Sequence, residues 1–206
     1  MMNIANMGQR FVRASLMIAF GAALAGCSGG GDAPPAKPPL EGARIGGAFT
    51  LTDQDGKPVR DTDFAGKYRL IYFGYSFCPD ICPVDLQKLM RGLSQFEKTD
   101  AARGAKVAPI FITVDPERDT PKVVGAFVRN FDDRIVGLTG SPAAIAAVEK
   151  QYAVYAKKEA PGPNGAYLVG HSQIAYLMDK DGKPITSLPI EKDAAAMVEQ
   201  LDHWVK

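Results

Sequence analysis

The sequence predicts an α/β sandwich, preceded by a β-hairpin and closed by a second hairpin and a helix. Two observations carry that expectation. Short apolar runs alternate along the chain with stretches whose apolar residues recur at helical spacing, and glycine-, proline- and aspartate-rich turn signals separate them.

Taken in order, Phe49-Thr50-Leu51 and Pro58-Val59 flank Asp53-Gln54-Asp55-Gly56-Lys57, a hairpin turn signal. Leu70-Ile71-Tyr72-Phe73 reads as a long strand. After a loop that holds two cysteines, Leu86, Leu89, Met90, Leu93 and Phe96 form the apolar stripe of a helix. Lys106 to Val114, with Ile110-Phe111-Ile112 at its centre, is the next strand. Thr120-Pro121 then starts a helix with proline in its first turn, where the missing N–H costs nothing, and Val123, Val124, Phe127 and Val128 make its apolar face. Ile135-Val136-Gly137-Leu138 is a short strand, and Ser141-Pro142 opens a second helix of the same style that runs through Tyr152. Gln173 to Met178 and Pro184 to Leu188 straddle Asp179-Lys180-Asp181-Gly182 and should pair as a hairpin, with a last helix from about Lys192 to Val205. Strand and helix alternating, then a hairpin and a helix, is the order of a thioredoxin-like sandwich.

The beginning of the chain has a different character. Residues 1–26 contain Arg10 and Arg13 with no acid, followed by an apolar run from Ala14 to Ala25 that marks a secretory signal peptide and is short for a membrane span. The run ends in Leu24-Ala25-Gly26-Cys27, which resembles the bacterial lipobox, where the cysteine is lipidated and becomes the mature N-terminus. The expected organisation is therefore a lipoprotein signal peptide over 1–26, a lipidated Cys27 with a Gly/Pro-rich tether over 27–44, and one domain over 45–206. Ser28 after Cys27 leans toward the outer membrane by the enterobacterial sorting rule, a rule that varies among bacteria and leaves the leaflet open. Loss of Arg10 and Arg13 with the leader takes the formal net charge from +1 to about −1. That balance, with no basic stripe, gives no support to a nucleic-acid partner.

Cys78 and Cys82, in Phe73-Gly74-Tyr75-Ser76-Phe77-Cys78-Pro79-Asp80-Ile81-Cys82-Pro83, are the two cysteines of the domain. They sit where a strand turns into a helix, so unpaired amides and the positive end of the helix dipole should make both thiols ionise more readily than free cysteine. Two thiols four positions apart can share a soft metal or close a disulfide. A purely structural disulfide would close a loop too short to add much stability.

From about Gly46 to the C-terminus the chain resembles the Sco/SenC family of membrane-tethered, thioredoxin-fold proteins that supply copper to the binuclear copper site of cytochrome c oxidase. Three blocks carry the resemblance: Phe73-Gly74-Tyr75 to Pro83, with its Cys-Pro-x-x-Cys-Pro core, Val114-Asp115-Pro116-Glu117-Arg118-Asp119-Thr120, and Val169-Gly170-His171-Ser172. The resemblance implies that Cys78, Cys82 and His171 bind the metal. It implies copper as Cu(I), with Cu(II) open, and as partners the copper-bearing subunit of the oxidase and another periplasmic copper carrier or thiol reductant. It also implies a membrane tether, which with the lipobox at Cys27 places the domain in the periplasm on a lipid anchor. One departure is Gly170, where the family often has an aspartate that would orient the imidazole. The chemistry agrees with the assignment, because two thiolates and an imidazole suit soft Cu(I), whereas zinc would want a fourth ligand.

Other residues stay secondary. Asp115 and Asp119 could contact a partner or a second metal, but Asp119 with Thr120 before Pro121 reads first as a helix cap. Asp80 reads as a helix-start residue, and His203, beside Trp204, as a surface or packing residue. Two functional classes remain open: a metallochaperone, which is not an enzyme, and a thiol-disulfide oxidoreductase in which Cys78 and Cys82 are the redox pair and keep an acceptor's cysteines reduced. A thiol peroxidase is a distant third.

Overall fold

The computed structural model describes residues 37–163 and 165–206; the expected signal peptide over 1–26, Cys27 and most of the expected tether lie outside the described residues. Nine strands and five α-helices follow one another among these residues, with one 3-10 turn over Asp61–Phe64 after β2: β1 (Thr50–Asp53), β2 (Pro58–Arg60), β3 (Tyr68–Gly74), α1 (Ile81–Thr99), α2 (Ala101–Gly104), β4 (Val107–Thr113), α3 (Pro121–Val128), β5 (Val136–Thr139), α4 (Pro142–Gln151), β6 (Ala156–Lys158), β7 (Val169–His171), β8 (Ala175–Met178), β9 (Pro184–Leu188) and α5 (Ala194–Trp204). Seven strands form one sheet in the order β2-β1-β5-β4-β3-β8-β9. Its centre, β3 with β4 and β4 with β5, is parallel, and its outer pairs are antiparallel.

Every residue of β3 is buried, Arg69 included, which is why Leu70 to Phe73 form a continuous apolar run and not an alternating one. The ring of Tyr72 meets Phe111 of β4, which meets Phe127 of α3, so one face of the sheet carries α1 and α3, and α5 packs on α1 where Gly92 faces Met197. Phe73 points the other way, onto Tyr152 at the end of α4, which in turn meets Tyr176 of β8. Successive strand residues face opposite sides, so the one run Tyr72-Phe73 feeds both cores. Leu86, Leu89, Met90, Leu93 and Phe96, the stripe expected for α1, are all buried.

The two expected hairpins form, β1 with β2 and β8 with β9. The structure departs from expectation at a separate two-stranded ribbon in which Ala156 pairs with His171 and Lys158 with Val169. His171, which lies just before the expected Gln173–Met178 strand, is therefore the last residue of a strand of its own. Main-chain bonds make this ribbon, Ser172 N to Tyr155 O at 2.9 Å and Glu159 N to Leu168 O at 2.9 Å, and not an apolar alternation.

Candidate metal centre

β3 ends at Gly74 and α1 begins at Ile81, and the loop between them carries Cys78. A Cβ at position 74 would stand 3.1 Å from Cys82 Sγ and 2.8 Å from the Tyr72 ring, so glycine is what lets the sulfur lie against the strand end. Cys82, in the first turn of α1, is fully buried, while Cys78 is half-buried; both are free thiols. The Cys82 amide donates to Cys78 Sγ at 3.5 Å. From β7, His171 brings Nε2 to 3.4 Å from Cys82 Sγ, and its Nδ1 lies 3.0 Å from the Ser172 carbonyl oxygen. A proton on Nδ1 satisfies that carbonyl and leaves the Nε2 lone pair facing the sulfur. The Tyr75 ring meets the imidazole edge-on at 5.8 Å between centroids.

The three residues named from the sequence thus come to one place, but not equally. Cys82 and His171 are already in contact, and Cys78 joins them through the Cys82 amide. Among the described residues no three of His, Cys, Asp and Glu stand close enough to hold an ion as placed. Two sulfurs and one imidazole nitrogen fit Cu(I) and suit harder cations poorly.

The expectation that both thiols ionise readily is corrected. Burial works against Cys78, but the amides of Cys82, Asp80 and Ile81 outweigh it and hold its pKa below the ordinary thiol value. Burial pushes Cys82 far up, beyond what the Tyr75 backbone and Tyr72 offset. The helix terminus serves both sulfurs, but desolvation separates them. Burial also lowers the pKa of His171, which favours the neutral ring.

Other flagged residues have different jobs. Thr120, not Asp119, caps α3, accepting from the Val123 amide. Asp119 is fully buried, and its Oδ2 accepts from Thr113 Oγ1 at 2.6 Å and from the Ser76 amide at 2.9 Å. Asp115 is bound by Arg118 Nε at 2.5 Å and by the Tyr167 hydroxyl at 2.9 Å. Asp80 does precede α1, without a side-chain capping bond. His203 stacks edge-on against Trp204, 4.3 Å between centroids. A side chain at Gly170 would point toward Glu159, on the strand face opposite His171, so an aspartate there is not what this imidazole lacks.

Sequence reasoning missed Asp85, Tyr72 and Tyr75. Asp85 is buried one turn beyond Cys82 and accepts from the Tyr72 hydroxyl at 3.0 Å, and burial raises its pKa. The available signal was an acid on the apolar stripe of α1.

The SCO1/SenC family model matches residues 37–206. Protein SCO2, mitochondrial, of Saccharomyces cerevisiae is 39% identical over 163 residues, 79% of this chain and 53% of that protein. The copper-bound structure of Bradyrhizobium japonicum ScoI is 42% identical with a TM-score of 0.70, covering 78% of this chain and 99% of that one. A structure of BsSco, described as showing a disulfide switch in a member of the Sco family of cytochrome c oxidase assembly proteins, is 26% identical with a TM-score of 0.56, covering 78% and 94%. The chain spans about half the length of the curated relatives it matches.

Proposed function

Since the chain belongs to the SCO1/SenC family, we propose that it is a metallochaperone that carries Cu(I) on Cys78, Cys82 and His171 to the copper-bearing subunit of cytochrome c oxidase during assembly. The observation that supports this reading best is the contact of Cys82 Sγ with an Nε2 whose partner nitrogen is already engaged by Ser172. In this reading Cys82 and His171 form the fixed part of the site, and Cys78 is the donor that closes on the cargo and opens to release it. Copper in solved relatives and a thiol pair at a strand-to-helix junction agree with it.

A second reading, a thiol-disulfide oxidoreductase that keeps the acceptor's cysteines reduced, is favoured by the split between the thiols. Cys78 is the accessible, more acidic sulfur and Cys82 the buried one, an attacking and resolving arrangement. His171→Ala separates the two readings. It removes one of three copper donors and leaves both sulfurs, so copper binding should weaken at least a hundredfold while the disulfide still forms. In cells the metallochaperone reading requires low oxidase activity that added copper partly restores. Normal oxidase at limiting copper in His171→Ala cells, with loss in Cys78→Ser cells, would hand the function to the oxidoreductase.

The same proposal holds the domain in the periplasm on a lipidated Cys27 and the tether, with a periplasmic copper carrier or thiol reductant upstream. Among the described residues no helix is long and apolar enough to cross a membrane. Cys27→Ala should release the protein from the membrane fraction, and persistence there after high-salt washing would contradict the anchor.

A further inference from the structure

The loop that carries Cys78 has little backbone support. Its Cys78 amide donates to the Tyr75 carbonyl at 3.2 Å, and from outside the loop the Ser76 amide is held by Asp119. Phe77, beside Cys78, is half-exposed, yet its ring faces a guanidinium: Arg118 Cζ lies 4.9 Å from the Phe77 centroid, 5.8 Å from that of Tyr75 and 3.6 Å from that of Tyr167. Arg118 is itself fixed. Its Nε donates to the buried carboxylate of Asp115, its Nη1 donates to the Tyr167 carbonyl at 2.9 Å, and the Tyr167 hydroxyl closes the ring onto Asp115. Nη2 is buried without a hydrogen-bond partner, which leaves the aromatic faces to offset its desolvation.

Tyr167 leads through Leu168 into β7 and His171. One side chain therefore ties together the loop that bears Cys78 and the segment that enters the strand bearing His171. We propose that Arg118 is a positioning residue for the metal centre: clamped by Asp115 and Tyr167, it holds Phe77 and so sets where the Cys78 thiol stands relative to Cys82 and His171. The role rests on the copper reading of those three donors. It calls for arginine specifically, because a planar guanidinium can stack and donate in two directions at once, whereas an ammonium cannot.

The test is a double-mutant cycle in the full chain with Arg118→Met, Phe77→Leu and the pair, and with Arg118→Lys beside them. Two readouts are used. Cu(I) affinity is measured by competition with bicinchoninate, together with the copper–sulfur count from X-ray absorption. The metal-free readout is the equilibrium with oxidised dithiothreitol, in which the Cys78 and Cys82 thiols pass two hydrogens to the reference disulfide as their own S–S bond forms. Arg118→Met should weaken copper about tenfold, lower the mean sulfur count and disfavour the Cys78–Cys82 disulfide severalfold. Phe77→Leu should do much the same, and the pair should be hardly worse than either alone, because both act through one contact. Arg118→Lys should recover less than half of the loss.

Additive effects, or Arg118→Met with unchanged affinity and sulfur count, would overturn the proposal. If Arg118→Met does not fold, Phe77→Leu decides alone, since a neutral outcome at that exposed ring removes the link to Cys78. If the wild-type chain takes up no Cu(I), the copper reading fails, and the disulfide equilibrium still judges the clamp.

Discussion

Replacing Asp119 by alanine should destabilise the reduced protein by about 2–3 kcal/mol, because two donors lose their acceptor. The Thr113 hydroxyl, at 2.6 Å, belongs to a fully buried residue, and the Ser76 amide, at 2.9 Å, belongs to the loop that bears Cys78. An orphaned buried donor costs about 1–3 kcal/mol, and two would reach the upper part of that range or beyond. The sum is reduced because the carboxyl is itself costly to bury: desolvation leads the causes that raise its pKa, and Oδ1 has no partner. The bond from Thr139 Oγ1 to the Asp119 carbonyl belongs to the main chain and survives. For a domain of this size the loss corresponds to a Tm lower by about 5–10 °C. Asparagine keeps an oxygen acceptor and should cost about 1 kcal/mol or less near pH 4. Since the folded pKa is raised, the folded state holds the proton more tightly than the unfolded chain. Wild-type stability relative to Asp119→Asn is therefore fully present below the unfolded carboxylate range and is lost as pH rises through the folded pKa. Thermal unfolding followed by circular dichroism between pH 4 and 7 checks both points. An alanine variant within about 1 °C of wild type, or a gap to asparagine that widens with pH, would refute the reasoning.

Copper binding should tighten with pH, because burial holds Cys82 protonated and ligation must expel that proton, whereas Cys78 is the more acidic thiol and burial favours the neutral form of His171. The apparent association constant, measured by chelator competition, should rise by roughly tenfold to a hundredfold per pH unit from about pH 6.5 to 8, and a flat profile would contradict the protonation states. Glu149, in α4, has its pKa pushed up to about 7 by burial alone. Its raised folded pKa means that the favourable contribution is present at pH 4 and lost on passing pH 7. Glu149→Gln should match wild type at pH 4 and exceed it at pH 8 by about 1 kcal/mol at most, since the half-exposed group is screened by solvent; urea denaturation at the two pH values decides.

The long strands were legible because burial on both faces writes a continuous apolar run, as in Leu70-Ile71-Tyr72-Phe73. So were the starts of α3 and α4, where Thr120 and Ser141 accept from Val123 and Ala144 ahead of a proline. The β6–β7 ribbon was not, because three-residue strands held by main-chain bonds leave no periodicity. The types of the candidate metal ligands could be read from the chain, but the split between Cys78 and Cys82 could not: both share one helix terminus, and only the packing of Cys82 against Gly74 and Tyr72 tells them apart. Arg118 was hidden for another reason. Its partners Phe77 and Tyr167 lie far from it in sequence, and no local pattern records such a contact. Asp85 was readable in principle, as an acid on an apolar stripe.

Anaerobic titration of the reduced protein with Cu(I), read by stoichiometry and X-ray absorption, tests the central claim most directly. The account predicts one Cu(I) per chain bound by two sulfurs and one nitrogen, with binding abolished in the Cys78→Ser, Cys82→Ser double variant. Tight binding that survives in the double variant, or a wild-type protein that takes up no Cu(I), would contradict it.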